Sequence, residues 1–547
     1  MVNPENITES NKKSSSCFKA NIGYFVLVII LLACLGVGIY FLGERFGLFG
    51  KMNPSQLVPS DAVFYLEMDL YPDKEQYEKL KELSSRFNME EKMKEMWEGE
   101  FQDSLPGLSF KDDVKLWLGE KIAQAGLASK DKTSLVTLVE IRSKAELERS
   151  LIKVGNKVRE EGGIVEESRY KSYKLLIFDR KKGKAVFGAL VANFIILGDD
   201  LESIKRVIDI KTSGIQSLSS SSNFNKAIAK LDNNRLATLY FDINRAESLT
   251  GGKVGILEPL ELISNGKIEL ISLGAKVSDA GIVFKGYSFG EQETESFTPN
   301  LVSIAPKDNV ILYAESADFR QALSMLLNVN SPDNILTKTL GTSFSEELFS
   351  LIERQEYSVF ISYQVKKVLP SLTLVFNISS DEKAKEALKK LEKPVLDYFS
   401  KYLKDKMSLS SGDVVSLSSF QEKDQIRYFE IPGQEITISY TVRNKKLIVS
   451  TSRELTSSVV DMVSGDKESL KSHNDYQEVF SQIDTEGISG MGYLNMNTLS
   501  SWISDSIMAQ LGDLSDLQRK VDMIKVVGFV GIPEEGGTRI EGRILVN

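Results

Sequence analysis

LVPSDAVFYLEMDL (residues 57–70) and SIAPKDNVILYAES (303–316) are one pattern written twice. Each opens on a proline turn and runs into a short apolar stretch, with Pro59 matching Pro306 and Asp61 matching Asp308. Working outward, GLSFKDDVKLWLGEKIAQAGL (107–127) matches GTSFSEELFSLIERQEYSVFI (341–361), and SLVTLVEIRSKAELERSL (134–151) matches SLTLVFNISSDEKAKEAL (371–388). NFIILGDDLESIKRVID (193–209) then pairs with KKLIVSTSRELTSSVVD (445–461), and NFNKAIAKLDNNRLATLYFDIN (223–244) with DYQEVFSQIDTEGISGMGYLNMN (475–497). GIVFKGYSF (281–289) and GTRIEGRIL (537–545) close the two series. A single match of this kind arises by chance; a shared order argues for tandem duplication, which has to be settled before a fold is assigned. The reading is a first module at 57–290, a polar linker at 291–300 and a second module at 301–547. In this alignment Glu67-Met68-Asp69 stands opposite Ala314-Glu315-Ser316. Trp117-Leu118-Gly119 stands opposite Ser350-Leu351-Ile352, so that element reads as dispensable to the fold.

Within a module, a strand at Val63–Leu70 or Val310–Glu315 leads into an amphipathic helix, which in the first copy starts near Lys74 with Tyr77, Leu80, Leu83 and Phe87 on one face. SLVTLVEI has the continuous β-branched run of a buried strand, and Ser143 with Glu146 forms a capping box that starts a helix. Ser380 plays the same part in the second copy. KLLIFD, AVFGAL and NFIILG (174–198) follow as an antiparallel meander, repeated by IRYFEI, TISYTV and KLIVST (426–451). Each module is thus expected to be an α+β fold, a mainly antiparallel sheet of about seven or eight strands with flanking helices. Two serine-rich stretches, 213–222 and 408–419, read as surface loops.

Ahead of the modules, residues 22–42 (IGYFVLVIILLACLGVGIYFL) carry no charge. As a helix this run spans about 31 Å, enough for a hydrocarbon core of about 30 Å. Tyr24 and Tyr40 near its ends suit the interfaces, and Lys12, Lys13 and Lys19 before it favour a cytoplasmic N-terminus. The layout is a cytoplasmic tail (1–21), a transmembrane signal anchor (22–42), a stalk (43–56) and modules outside the cytoplasm. Leu31-Leu32-Ala33-Cys34 approximates a lipobox, but the apolar run continues past Cys34, longer than a cleaved signal requires. Either reading tethers the modules to a membrane.

Composition then excludes much chemistry. The 547 residues hold 67 Lys plus Arg against 76 Asp plus Glu, a net charge of −9, with no strongly basic stretch for nucleic acid. There is one histidine, His473, and the two cysteines, Cys17 and Cys34, both precede the modules. Disulfides, thiol nucleophiles and thiolate metal sites are therefore not expected in the modules, and no metal or other cofactor is assigned. Ser-x-x-Lys occurs at Ser150–Lys153, Ser168–Lys171 and Ser380–Lys383 without the partner motifs of a penicillin-binding enzyme; Lys211-Thr212-Ser213-Gly214 has a residue too many. Gly487-Ile-Ser-Gly-Met-Gly misses the nucleophile-elbow spacing and reads as a turn. His473 reads as a surface residue beside a helix start, with Asn474 or Asp475 as the cap. Asp112-Asp113 and Asp199-Asp200 read as helix-dipole partners, since copy two has Ser345-Glu346 and Thr451-Ser452 there. Trp97, Trp117 and Trp502 read as core. No catalytic, cofactor-binding or metal-binding residue is assigned.

PSDAVFYLEMDL, LSFKDDVKLWLGEKIAQAGL and NFNKAIAKLDNNRLATLYFDIN together resemble domain-of-unknown-function family 3352. That resemblance spans nearly all of 51–547 and implies a bacterial, exported protein with an N-terminal membrane anchor. It brings no catalytic residues. The expected role is a single-pass, extracytoplasmic, non-enzymatic protein of the cell envelope that binds an envelope protein or a ligand, or organises the envelope. A carboxylate-dependent envelope hydrolase and a carrier of lipid or another apolar ligand are the alternatives.

Overall fold

In a computed structural model the described residues are 52–86, 106–129, 132–181, 185–250, 266–292, 296–317, 350–364, 367, 369–406, 419–431, 436–504 and 524–547. The tail, the apolar run 22–42, Phe87, Trp97, Ser345-Glu346 and nearly all of the serine-rich 408–419 lie outside them. Among the described residues no helix is long and apolar enough to cross a membrane. The chain packs as two compact units, the first ending at Gly290 and the second built mainly from Glu291–Asn547.

The first unit is a sheet of ten strands: β1 (Ala62–Asp69), β2 (Leu118–Ser129), β3 (Lys132–Ile141), β4 (Ile164–Tyr170), β5 (Tyr173–Asp179), β6 (Val186–Val191), β7 (Phe194–Gly198), β8 (Ala237–Asp242), β9 (Gly266–Ser278) and β10 (Gly281–Gln292). Their spatial order is β4-β5-β6-β7-β3-β2-β1-β8-β9-β10, and β4 through β9 pair antiparallel throughout. The helices are α1 (Lys74–Arg86), α2 (Lys144–Glu160), α3 (Leu201–Ser213), α4 (Ser222–Ile228) and α5 (Ile243–Thr250). Ile204, Val207 and Ile208 of α3 and Phe224 of α4 close one core with Tyr65, Phe194 and Tyr240. Leu147, Val154 and Val158 of α2 close another with Trp117 and Phe178.

The second unit repeats this with β11 (Val310–Ser316), β12 (Ile352–Ser362), β13 (Ser371–Ile378), β14 (Gln421–Lys423), β15 (Ile426–Glu430), β16 (Thr437–Arg443), β17 (Lys446–Ser450), β18 (Gly490–Asn495), β19 (Ile524–Glu534) and β20 (Gly537–Val546). Its order is β14-β15-β16-β17-β13-β12-β11-β18-β19-β20, the same as the first with each strand number raised by ten. Its helices are α6 (Asp381–Lys406), α7 (Arg453–Val463), α8 (Asn474–Phe480) and α9 (Met496–Trp502). Mixed α and β structure dominated by antiparallel sheet is therefore the fold of both units. Each sheet has more strands than the expected seven or eight, in part because β4 (IVEESRY) and β14 (QEK) are largely exposed edge strands with no apolar alternation to betray them.

Matching registers correct the alignment of the copies by one residue. A bulge in β1 between Ala62 and Phe64 recurs in β11 between Val310 and Leu312. Tyr65 thus corresponds to Tyr313, and Glu67 to Glu315 rather than Ala314. The extra residue of the second copy is Asn309, which takes a left-handed turn (φ 63°) that asparagine tolerates. In the same way Leu118 pairs with Ile141 as Ile352 pairs with Ile378, so Trp117 corresponds to Leu351. Both are buried, and the position is core in each unit.

Two stretches expected to be loose are pinned. Ser217 bridges to Pro59 and fully buried Leu218 donates its N–H to the Val58 carbonyl; Ser469, Pro306, Leu470 and Ala305 repeat the arrangement. In the 291–300 linker, Phe297 is buried and pairs its backbone with Ile488.

Candidate binding site

The acid pairs singled out in the sequence are spent on capping. Asp200 caps α3, accepting from the Ser203 N–H at 3.1 Å, and Asp199 accepts from the Leu135 N–H. In the second unit Ser452 caps α7 through the Leu455 N–H, and Thr451 accepts from the Leu372 N–H. Uncharged hydroxyls do the same work at the same places, so the carboxylates are needed there as acceptors. Asp200→Ser is expected to leave stability within about 0.5 kcal/mol, whereas Asp200→Ala costs about 1 kcal/mol, both read by chemical denaturation. Asp112 and Asp113 close the turn capped by Ser109, and Asp113 also binds Lys153.

The remaining candidates resolve likewise. Ser150 accepts from the Trp117 indole N–H at 3.1 Å. Lys171 is bound by Asp209, Thr212 and Ser213, and Ser380 caps α6. His473, half-buried, is itself the cap of α8: its Nδ1 accepts from the Asp475 N–H, where the first unit uses Ser221. Trp502 ends α9.

Nothing in the sequence pattern announces a tyrosine–glutamate pair at the centre of each sheet. Tyr65 donates to Glu67 and Tyr313 to Glu315, both at 2.5 Å. Glu67 also binds Lys121 of β2. Glu315, fully buried, accepts instead from the backbone N–H groups of Asn300 and Leu301 at 2.9 and 3.0 Å. Burial pushes the Glu315 carboxyl above its usual range despite these donors. One motif thus holds a charge pair in one unit and a backbone segment in the other.

Beside the first pair lies a cleft of about 340 Å³, between the start of α1, the turn before β8 and strands β9 and β10, lined chiefly by polar and charged side chains. Arg235 forms its base. The Nε donates to Thr238 Oγ1 and one Nη to the Asp232 carbonyl, both at 2.6 Å. Its other Nη has no hydrogen-bond partner among the described residues, and no carboxylate there lies within ion-pair distance of it. Burial pulls its pKa below the usual arginine value, with the fields of Glu67 and Asp232 opposing. Around it, Lys276 binds Asp232 at 2.9 Å, Lys79 binds Glu75 at 3.0 Å, and Lys285 completes the wall. The Lys276 contact holds the Asp232 carboxyl below its usual range.

Gly274 makes room for that arginine. A β-carbon there would stand 3.1 Å from Arg235 Cδ, too close without displacement of the side chain. The registers of β8 with β9 and of β18 with β19 show what replaces this set in the second unit. Arg235, Thr238 and Gly274 correspond to Ile488, Met491 and Val530, all fully buried, and Lys276 corresponds to Ile532. What is a charged cleft in one unit is apolar core in the other.

A family model described as "Protein of unknown function (DUF3352)" matches residues 25–399 and, a second time, 370–524. No curated protein matches the chain. Crystal form III of TP0453 is similar at 10% identity and a TM-score of 0.27, covering 45% of this chain and 83% of that one. Crystal form I is similar at 8% identity and a TM-score of 0.23, covering 51% and 87%. At these scores the likeness carries no argument.

Proposed function

The chain belongs to the DUF3352 family of proteins of unknown function, and on that premise we propose that it is a membrane-tethered, extracytoplasmic binding protein without catalytic activity. The observation that carries the binding reading is the divergence of one scaffold. Two units with the same strand order keep the same tyrosine–glutamate pair, yet only the first carries an arginine at the Arg235 position and charged neighbours around it. The adjacent acid pairs Asp112-Asp113 and Asp199-Asp200 are engaged in helix starts, a backbone contact and an ion pair, and among the described residues no cluster of His, Cys, Asp and Glu is arranged to hold a metal ion. Carriage of a lipid asks for an apolar cavity, and the cleft is lined by charged side chains, Asp73, Glu75, Lys79, Asp232, Arg235 and Lys276 among them.

The tether rests on the uncharged run 22–42, and the family match, beginning at residue 25, includes most of it. A reporter active only outside the cytoplasm, fused after Asn547, is expected to give signal. Signal from a reporter active only in the cytoplasm would overturn the orientation.

A further inference from the structure

Arg235 is a half-buried guanidinium with unused donor capacity, seated on a glycine at the base of a concave site. Its free Nη is open to solvent, and a planar guanidinium is best satisfied by two oxygens of one carboxylate or phosphate. The rest of the wall decides between these. Asp73, Glu75 and Asp232 stand against Lys79, Arg235, Lys276 and Lys285, a wall of nearly balanced charge. A doubly charged phosphate would meet three carboxylates. A ligand with one carboxylate and one ammonium group can place the first on Arg235 and the second among the acids. A volume of about 340 Å³ lies at the small end of ligand pockets, room for only a few residues of peptide.

We propose that the cleft of the first unit binds a zwitterionic ligand of amino-acid or short-peptide size, with its carboxylate held by Arg235. This deepens the binding reading and rests on it. Among the described residues of the second unit the arginine is not repeated, because buried Ile488, Met491 and Val530 stand at the positions of Arg235, Thr238 and Gly274. Gly274→Val, which copies the side chain of Val530 into that place, is therefore a variant expected to fold while displacing the arginine.

The test is calorimetric titration of the detergent-extracted full chain with triglycine and trialanine, each as the free acid and as the C-terminal amide, and with inorganic phosphate. At least one free-acid tripeptide is expected to bind saturably. Its amide, Arg235→Ala and Gly274→Val should each weaken that binding by about tenfold or more, as loss of a charge-assisted pair requires. An amide that binds as well as its free acid, cleft variants that bind as wild type does, absence of binding by both free acids, or phosphate binding more tightly than either would overturn the assignment. Mass spectrometry of the recovered peptide separates the two readings. Intact peptide supports both, whereas hydrolysed peptide would overturn the non-enzymatic function and leave the carboxylate site standing.

Discussion

Glu315→Ala is expected to destabilise the second unit by about 3 kcal/mol, because it leaves three donors, two of them buried, without an acceptor. Those donors are the N–H groups of Asn300 and Leu301 and the hydroxyl of Tyr313. Losing the first two should release the start of the unit, so hydrogen exchange in peptides covering 296–317 should accelerate along with the fall in unfolding free energy. Glu315→Gln keeps one oxygen for both amides and turns its amide group to the tyrosine oxygen; it is expected to stay within about 1 kcal/mol of wild type. The pH dependence separates the two further. Burial raises the folded-state constant of Glu315, so its contribution to stability is fully present below the ordinary carboxylate range and is lost as pH rises through the folded value. The glutamine variant should lose that component of the slope. Unchanged exchange at 300–301 in the alanine variant would refute the anchoring role.

Trp117→Ala is expected to cost the first unit about 3–5 kcal/mol, the range for truncating a large buried aromatic side chain. The indole fills the core between α2 and the sheet with Leu147, Val154 and Val158, and its N–H is held by Ser150. Trp117→Leu should recover part of the loss, because Leu351 occupies the equivalent place in the second unit. Trp117→Phe keeps most of the packing and gives up the hydrogen bond, worth about 1 kcal/mol. Chemical denaturation of the three variants checks the ordering. An alanine variant within about 1 kcal/mol of wild type would mean the cavity closes at little cost, and that the position is dispensable after all.

Much of the architecture was legible because its signals are local. The capping serines Ser143 and Ser380, the two meanders and the proline turns are set by residues a few positions apart, and they lie where their spacing places them. The cleft was not legible. Arg235, Gly274 and Lys276 are separated by tens of residues, and none is unusual in its own segment. Aligning the copies also missed the equivalence of Glu67 and Glu315, since a shift of one residue around Asn309 hid it.

By itself, then, the sequence determined that the chain is built twice from one pattern of strands, helix starts and turns, because hydrophobic periodicity and capping act over short range. It also determined how little redox or metal chemistry the modules can support, since residue types are countable without a fold. Tertiary structure alone decided the strand order, the buried partners of Glu67 and Glu315, and the conversion of one core position into a charged cleft. The physical reason is that pairing register joins residues distant in the chain, and a one-residue slip moves every side chain of a strand to its other face.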